Sequence, residues 1–285
     1  MCTTDECDEG RREFLATTAA AIVGLTATNA GSQEAPKYPH NEKVVTRVLE
    51  DPTITHGTVM FQHNKTDTID GFLARPKAEG KYPVVVVIAG NVITEEYIPN
   101  TCAALAVAGY VGLAPNIFHA VPDSALTLEE KRKASIAHSD SDALLDINAG
   151  LDYLRRQPCA SFDGIGVVGF CYGGKLAMML GSRSREVEAV VPYHPGPVTD
   201  EDIARLRGPV MIHQGTADRA LPKGQTEELV NRLKARNIPV EIFFYEGADH
   251  GFLAYTRPYY KPDYAKLSWQ RTVGFLNQYL KKKPK

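Results

Sequence analysis

The feature that most constrains the fold is an apolar strand that runs directly into a glycine-rich turn and then into a helix. Residues 165–168 are apolar, the turn reads Gly-Phe-Cys-Tyr-Gly-Gly at 169–174, and helix-forming residues follow at 175–180. This is the nucleophile-elbow pattern, with Cys171 in the usual serine position. The turn is so tight that the nucleophile occupies strained backbone, and the flanking glycines leave room for the crossing strand and helix.

The same turn places Cys171 at a helix N-terminus, where the helix dipole and free N–H groups favour thiolate over thiol. The alternative is a buried structural cysteine in a glycine-rich turn. Because a strand and a helix flank the turn, we predict that Cys171 is a nucleophile.

Apolar runs and helical patterns alternate along the rest of the chain. A continuous run at 82–89 is typical of a strand buried on both faces of a parallel sheet. The first two β-type runs, with turn residues at 64–67 between them, predict an antiparallel hairpin at a sheet edge, and segment 116–139 is expected to cap the sheet's C-terminal edge. Strands are also predicted at 53–62, 69–75, 111–114, 187–193, 210–213 and 240–245, and helices at 96–108, 141–156, 223–236 and 264–280. The pattern predicts an α/β fold with a mainly parallel central sheet and helices on both faces.

Charge, cysteine content and hydropathy argue against several classes of protein. The formal net charge of -2 gives no electrostatic basis for binding nucleic acid or an anionic membrane. The five cysteines are widely scattered and match neither a disulfide framework nor a zinc-ligand spacing. No apolar run reaches the roughly 18 residues that a membrane-spanning helix needs.

The N-terminus is typical of a twin-arginine export signal. Arg11 and Arg12 precede Phe-Leu and a weakly apolar, Ala/Thr-rich stretch that reaches Ala30. Gly10 stands where Ser or Thr is commoner, and the residues ahead of it are acidic. The alternative interpretation is therefore a helical or disordered N-terminal extension.

The signal hypothesis sets the domain boundaries. Residues 1–30 would be removed near Ala30, residues 31–43 would form a linker, and residues 44–285 would form the folded domain. The export machinery is then a partner, and the mature protein is expected in the periplasm or outside the cell, with no membrane contact. If the signal does not function, the protein is cytoplasmic.

Two further polar residues follow predicted strands in the order that would complete a catalytic triad. Asp218 and His250 each lie in a loop after a strand, where open α/β sheets place their ligands. A weak nucleophile needs a base, and the base needs a group that fixes its tautomer. We predict that Cys171, His250 and Asp218 fill these roles, with Asp249 a weaker candidate than Asp218. His194, also at a strand end, is predicted to pack against the pocket or to line the substrate.

Three motifs resemble those of the dienelactone hydrolase family. They are Gly-Phe-Cys-Tyr-Gly-Gly at 169–174, His-Gln-Gly-Thr-Ala-Asp at 213–218 and Asp-His-Gly-Phe at 249–252, and the resemblance extends from about residue 53 to about residue 280. It implies an α/β-hydrolase fold and a Cys-His-Asp triad that acts on small lactones or esters without a metal or organic cofactor. It also implies an oxyanion hole formed by the backbone N–H groups of Tyr172 and Asn91.

Two positions depart from the family pattern. The glutamate that the family places after the third strand falls on Gly90, and the carboxylate-binding arginine after the histidine falls on Ala254. Arg257 lies near that position but out of register, and it is predicted only to line the substrate. These departures argue against dienelactone itself as the substrate.

The sequence therefore predicts a hydrolase that cleaves small esters or lactones through a thioester on Cys171. The alternative is a non-catalytic or redox-sensing protein of the same fold that uses Cys171 as a reactive thiol. The presence of His250 and Asp218 argues against that alternative, because a thiol sensor does not need an oriented general base.

Overall fold

A computed structural model describes residues 48–63, 67–90, 97–119, 127, 130, 133, 138–255 and 257–281. These residues belong to the second of two units, 1–33 and 34–285. The predicted signal (1–30), the linker (31–43), Asn91 and most of segment 116–139 lie outside the described residues, so the predictions made for them stay predictions. In the ranges that are described, no helix is long and apolar enough to cross a membrane.

The described residues form one eight-stranded sheet in the order β1-β2-β4-β3-β5-β6-β7-β8. The first two strands form the predicted antiparallel hairpin at one edge, and β2 also pairs antiparallel with β4. All pairings from β4 through β3 to β8 are parallel. The strands are β1 (Ile54–Gln62), β2 (Thr68–Pro76), β3 (Tyr82–Ile88), β4 (Val111–Pro115), β5 (Ala160–Phe170), β6 (Val187–Tyr193), β7 (Val210–Gly215) and β8 (Val240–Tyr245).

The centre of the sheet is apolar on both faces, as the valine-rich run predicts. Residues 84–88 of β3 are fully buried between β4 and β5. Both faces must therefore be covered by helices, and the helices divide into two layers. They are α1 (Tyr97–Val107), α2 (Asp140–Arg155), α3 (Tyr172–Arg183), α4 (Asp200–Arg205), α5 (Lys223–Ala235) and α6 (Pro262–Leu280).

One face of the sheet packs against α2, α3 and α5, and the other packs against α1 and α6. Among the described residues the two cores lie on opposite faces of the sheet, so each central strand contributes alternate side chains to each core. The fold is thus the predicted α/β class with helices on both faces.

Helix α4 was absent from the sequence-based prediction. It has six residues, too few to show a helical period, and its signal is local: the Thr199 hydroxyl accepts a hydrogen bond from the Asp202 N–H at 3.1 Å and donates to the Asp202 carboxylate at 2.7 Å. Such a cap satisfies N–H groups that the first turn leaves unpaired.

Candidate active site

The elbow is as tight as the sequence predicts. β5 ends at Phe170 and α3 begins at Tyr172, leaving only Cys171 between strand and helix, with φ 54° and ψ −114°. A positive φ is uncommon for a residue with a side chain and marks stored strain. The backbone holds the residue in place, because the Cys171 N–H donates to the Tyr193 carbonyl of β6 at 3.0 Å.

Glycine is required on both sides of Cys171 because the strand and the helix approach so closely. A Cβ atom on Gly169 would collide with the carbonyl of Gly173, and one on Gly173 would collide with the carbonyl of Ile88 at the end of β3. The elbow therefore fits beside the end of β3 only with glycine at these two positions.

His250 and Asp218 meet beside this turn. The two residues follow β8 and β7, and Nδ1 of His250 lies 2.8 Å from Oδ2 of Asp218, whose side chain is fully buried. The same carboxylate accepts hydrogen bonds from the backbone N–H groups of Ala220 and Leu221 at 2.9 and 2.8 Å. Two backbone N–H groups thus bind Oδ1 of Asp218, and Oδ2 faces the imidazole of His250.

Asp249 has a different role from Asp218. Its carboxylate accepts a hydrogen bond from the backbone N–H of His250 at 2.7 Å. Asp249 therefore stabilises the backbone of the loop, whereas Asp218 hydrogen-bonds to the imidazole ring of His250.

The electrostatics of His250 and Asp218 are complementary. Burial lowers the pKa of His250, but the hydrogen bonds with Asp218 and with the Cys171 thiol outweigh burial and raise it to about 10. Burial raises the pKa of Asp218, but its hydrogen bonds with His250 and the Leu221 N–H outweigh burial and lower it. Because Asp218 occupies Nδ1, Nε2 is the nitrogen left to face Cys171. The pair can therefore hold a proton on His250 near neutral pH.

His194 lies directly against His250. It is 3% exposed, has φ 37°, and its ring centroid is 4.3 Å from that of His250. Burial, followed by repulsion from His250, lowers its pKa well below the usual histidine value. Its Nδ1 is buried and has no hydrogen-bond partner in the described part of the chain. The structure therefore places His194 as a neutral ring packed beside His250, and its contact with substrate stays a prediction.

Two further residues of the predicted site, Tyr172 and Arg257, lie within the described part of the chain. Tyr172 is the first residue of α3, so its N–H has no partner within the helix. Arg257 is half-buried in the turns after His250, and its N–H donates to the Ala254 carbonyl at 2.9 Å.

At Gly90, where the family has a glutamate, a Cβ would lie 2.7 Å from the Phe170 oxygen. No side chain, glutamate included, fits there without a backbone shift.

Gln214 is a site residue that the sequence analysis did not assign. It is fully buried, and its amide donates to Oδ2 of Asp218 at 3.2 Å and to the Leu221 carbonyl at 3.0 Å. Its oxygen accepts from Thr226 at 3.0 Å. Gln214 therefore supports the loop that carries Asp218; its place in the motif at 213–218 was the only sequence signal.

The parallel sheet and the elbow at the end of its central strand define an α/β-hydrolase. Residues 69–280 match the model of the dienelactone hydrolase family, and the chain belongs to this family of hydrolases.

Individual relatives agree with this assignment. The chain is 29% identical over 245 residues to a Synechocystis sp. protein named "Putative carboxymethylenebutenolidase", covering 79% of this chain and 97% of that one. It is 28% identical over 221 residues to a Bradyrhizobium protein named "Probable 2-oxo-3-(5-oxofuran-2-ylidene)propanoate lactonase", covering 73% and 89%. Among solved structures, a "Putative Dienelactone Hydrolase" from Klebsiella pneumoniae superposes with a TM-score of 0.73 at 25% identity, covering 79% and 99%.

Proposed function

We propose that this protein hydrolyses small esters or lactones through a thioester on Cys171, with His250 as the proton-transfer group and Asp218 as its orienting partner. The observation that carries the proposal is the 2.8 Å contact from Asp218 to Nδ1 of His250, because it leaves the other ring nitrogen for the elbow cysteine. This is the geometry that an activated nucleophile requires.

In the first half-reaction the Cys171 sulfur attacks the carbonyl carbon of the substrate. The C–S bond forms, the carbonyl oxygen becomes an oxyanion, and the C–O bond of the ester then breaks. His250, carrying the proton of the thiol, gives it to the departing alkoxide. With a lactone the alcohol stays attached to the acyl chain, so ring opening and acylation are one event.

In the second half-reaction water hydrolyses the thioester. His250 takes a proton from the water, the hydroxide adds to the carbonyl, and the thiolate leaves as the acid is released. Asp218 keeps Nδ1 protonated throughout and stabilises the imidazolium that forms twice in each cycle.

The oxyanion is stabilised by backbone N–H groups in this proposal. The Tyr172 N–H is at the N-terminus of α3, where the dipole also favours negative charge. The N–H of Asn91 is the proposed second donor. Each such donor is typically worth about 3 kcal/mol in the transition state.

The names of the relatives favour a lactone over other esters. Both similar proteins are named for lactone substrates. The absence of an arginine at Ala254, which is buried, favours an uncharged substrate over a carboxylate-bearing dienelactone. We therefore propose a small, uncharged lactone or ester.

The test compares Cys171→Ala with a matched variant, Cys159→Ala, over a panel of p-nitrophenyl esters and small lactones. Cys159 is the suitable control because it is a free, half-buried thiol outside the site. We expect Cys171→Ala to lower kcat/KM by at least about 10³-fold, and Cys159→Ala to leave it unchanged. Mass spectrometry after rapid quenching should show one acyl adduct, on Cys171.

Turnover that survives Cys171→Ala would contradict the mechanism. A protein that turns over no ester or lactone but in which Cys171 oxidises reversibly would favour the redox-sensing alternative. We propose in addition that the protein is exported by the twin-arginine pathway, on the basis of Arg11 and Arg12.

A further inference from the structure

A cleft lined mainly by arginines lies at the N-terminal edge of the parallel strands, opposite the edge at which Cys171 lies. It is formed by two connections, 184–186 from α3 to β6 and 206–209 from α4 to β7, together with the helix ends that precede them. The strands β6 and β7 are neighbours in the sheet. The cleft has a volume of about 440 Å³, and its lining residues, called here the arginine cleft, are Ser182, Arg183, Ser184, Arg185, Arg205 and Arg207.

Two of the four arginines have a structural explanation. Arg183 and Arg205 lie in the last turns of α3 and α4, where a positive charge stabilises the negative end of a helix. Arg205 also pairs with Glu201 at 2.7 Å, and Arg183 lies 3.8 Å from the Asp202 carboxylate. Helix stability is therefore a sufficient reason for these two side chains.

Arg185 and Arg207 have no such explanation. Each lies two residues beyond the end of the helix that precedes it, and both side chains are exposed. Neither has a carboxylate within 4 Å in the part of the chain that the structure describes. Glu186, the acidic residue next to Arg185, pairs with Arg155 instead. The described residues therefore supply no counter-ion for these two charges.

A hydroxyl group at the cleft has an unused donor. The Ser184 oxygen accepts a hydrogen bond from the backbone N–H of Glu186 at 3.4 Å, and its O–H donates to no acceptor among the residues described. A serine hydroxyl can donate one hydrogen bond while it accepts others. Guanidinium groups and a free hydroxyl are together the donors that suit the oxygen atoms of a phosphate or sulfate group.

We propose that the arginine cleft binds a small soluble molecule that carries several phosphate or sulfate groups. A planar guanidinium can donate two parallel hydrogen bonds to each such group. Glu201 and Asp202 offset two of the four positive charges, so the cleft stays positive although the whole chain has a formal net charge of -2. Its volume lies in the range of about 300–1,000 Å³ that is usual for ligand sites, and a single phosphate ion would fill only part of it.

The experiment titrates tripolyphosphate into the full chain by isothermal calorimetry at low ionic strength. We expect one tripolyphosphate per chain, with an affinity that falls as NaCl is added, because salt screens the contacts of exposed charges. Acetate at the same ionic strength should not bind. Replacing both Arg185 and Arg207 by glutamine should weaken binding at least about tenfold, since each replacement removes charge-assisted hydrogen bonds.

The matched control replaces Arg156 and Arg236 by glutamine. These two arginines are exposed C-cap residues of α2 and α5, so the control removes the same charge from the ends of two other helices. It should bind tripolyphosphate as tightly as the unmodified protein does. Equal weakening in the two double variants, or no binding to the unmodified protein, would overturn the proposal.

Thermal melting separates a ligand site from a cluster that only supports folding. Without tripolyphosphate, Arg185→Gln/Arg207→Gln should melt at the temperature of the unmodified protein or above it, because it removes charges that have no described partner. At a tripolyphosphate concentration about 100 times Kd, the Tm of the unmodified protein should rise by roughly 5 °C or more, and that of the double variant should not. A lower Tm of the double variant without ligand, and no rise in the unmodified protein, would assign both arginines to folding alone.

The headgroup of an acidic phospholipid presents the same chemistry from a different source. Co-sedimentation with vesicles that contain phosphatidic acid, compared with vesicles of phosphatidylcholine alone, distinguishes the two sources. We expect no vesicle binding that depends on Arg185 and Arg207. Vesicle binding that is lost in the double variant, together with no binding of tripolyphosphate, would overturn the proposal of a soluble ligand.

Discussion

Replacement of Asp218 by asparagine is the most decisive perturbation of the proposed triad. The carboxylate accepts four hydrogen bonds: from His250 (2.8 Å) and Gln214 (3.2 Å) on Oδ2, and from the N–H groups of Ala220 (2.9 Å) and Leu221 (2.8 Å) on Oδ1. An amide has only one acceptor oxygen, so no orientation of asparagine preserves all four. Asparagine has nearly the same shape as aspartate, but each of the two possible orientations of its amide loses at least one of these hydrogen bonds.

If the amide oxygen stays with the two backbone N–H groups, the NH₂ group faces His250. Nδ1 must then become an acceptor, the proton moves to Nε2, and the ring can no longer take a proton from Cys171. If the amide is reversed, the two backbone N–H groups of the loop lose their acceptor, at about 1–3 kcal/mol for each buried group. Either orientation removes the negative charge that raises the pKa of His250 to about 10.

The expected loss is large because the wrong tautomer disables the proton transfer itself. The corresponding change in serine-protease triads lowers kcat about 10⁴-fold, which is about 5.4 kcal/mol in the transition state. We expect a loss of this order in kcat/KM for Asp218→Asn. The pKa of His250 should also fall from about 10 toward the ordinary histidine value of about 6.5.

The assay is p-nitrophenyl acetate hydrolysis at high protein concentration, with thermal melting to confirm folding. Asp249→Asn is the matched control, since that carboxylate accepts only from the His250 backbone in the contacts described, and we expect it to cost less than about tenfold. Equal losses in the two variants, or a folded Asp218→Asn within tenfold of the unmodified protein, would refute the assignment.

Three further outcomes are expected. Gly173→Ala should unfold or strongly destabilise the protein in a chemical denaturation, because its Cβ would meet backbone carbonyls, whereas Gly224→Ala, with no described atom within 4 Å of its Cβ, should be neutral or slightly stabilising. Replacing Arg11 and Arg12 by lysine should retain the protein in the cytoplasm in a fractionation experiment; unchanged export would exclude the signal. Since the folded pKa of Asp218 is depressed, its contribution to stability is present above pH 4 and lost as the pH falls through the folded pKa, so Asp218→Asn should show a flatter stability curve below about pH 4.

Buried strands were the part of the fold that could be predicted best from the sequence. β6 begins and ends where the run at 187–193 does, and all its residues except Glu188 are buried, because a strand covered on both faces is mainly apolar. β8, at the sheet edge, also matches its run at 240–245, although only Tyr245 in it is fully buried. β7 continues beyond its apolar run through Gln214 and Gly215. No hydropathy pattern could show this, because the buried amide finds its partners only in the folded loop.

The site residues could be predicted from the sequence only where they lie in a recognisable motif or directly follow a predicted strand. The elbow motif and the strand-end positions of Asp218 and His250 brought three residues to one place, since the ends of parallel strands meet at one edge of the sheet. The contacts of Asp146 with three histidines have no such signal. The four residues stand at 63, 119, 138 and 146, and only the antiparallel hairpin and the start of α2 bring them together.

The two adjacent imidazoles beside the elbow explain how a proton can stay on one ring and not on its neighbour. The ring centroids of His194 and His250 are 4.3 Å apart, yet the pKa of His194 is lowered and the pKa of His250 is raised. One cause of the difference is that Asp218 hydrogen-bonds to the ring of His250. Another is that His194 is 3% exposed, whereas the His250 side chain is 26% exposed. Burial is the larger cause that keeps His194 neutral by lowering its pKa, and repulsion between two imidazolium ions at this distance is the second. His194 therefore serves as an uncharged surface against which the protonated ring of His250 packs, and the proton remains on the ring that faces Cys171.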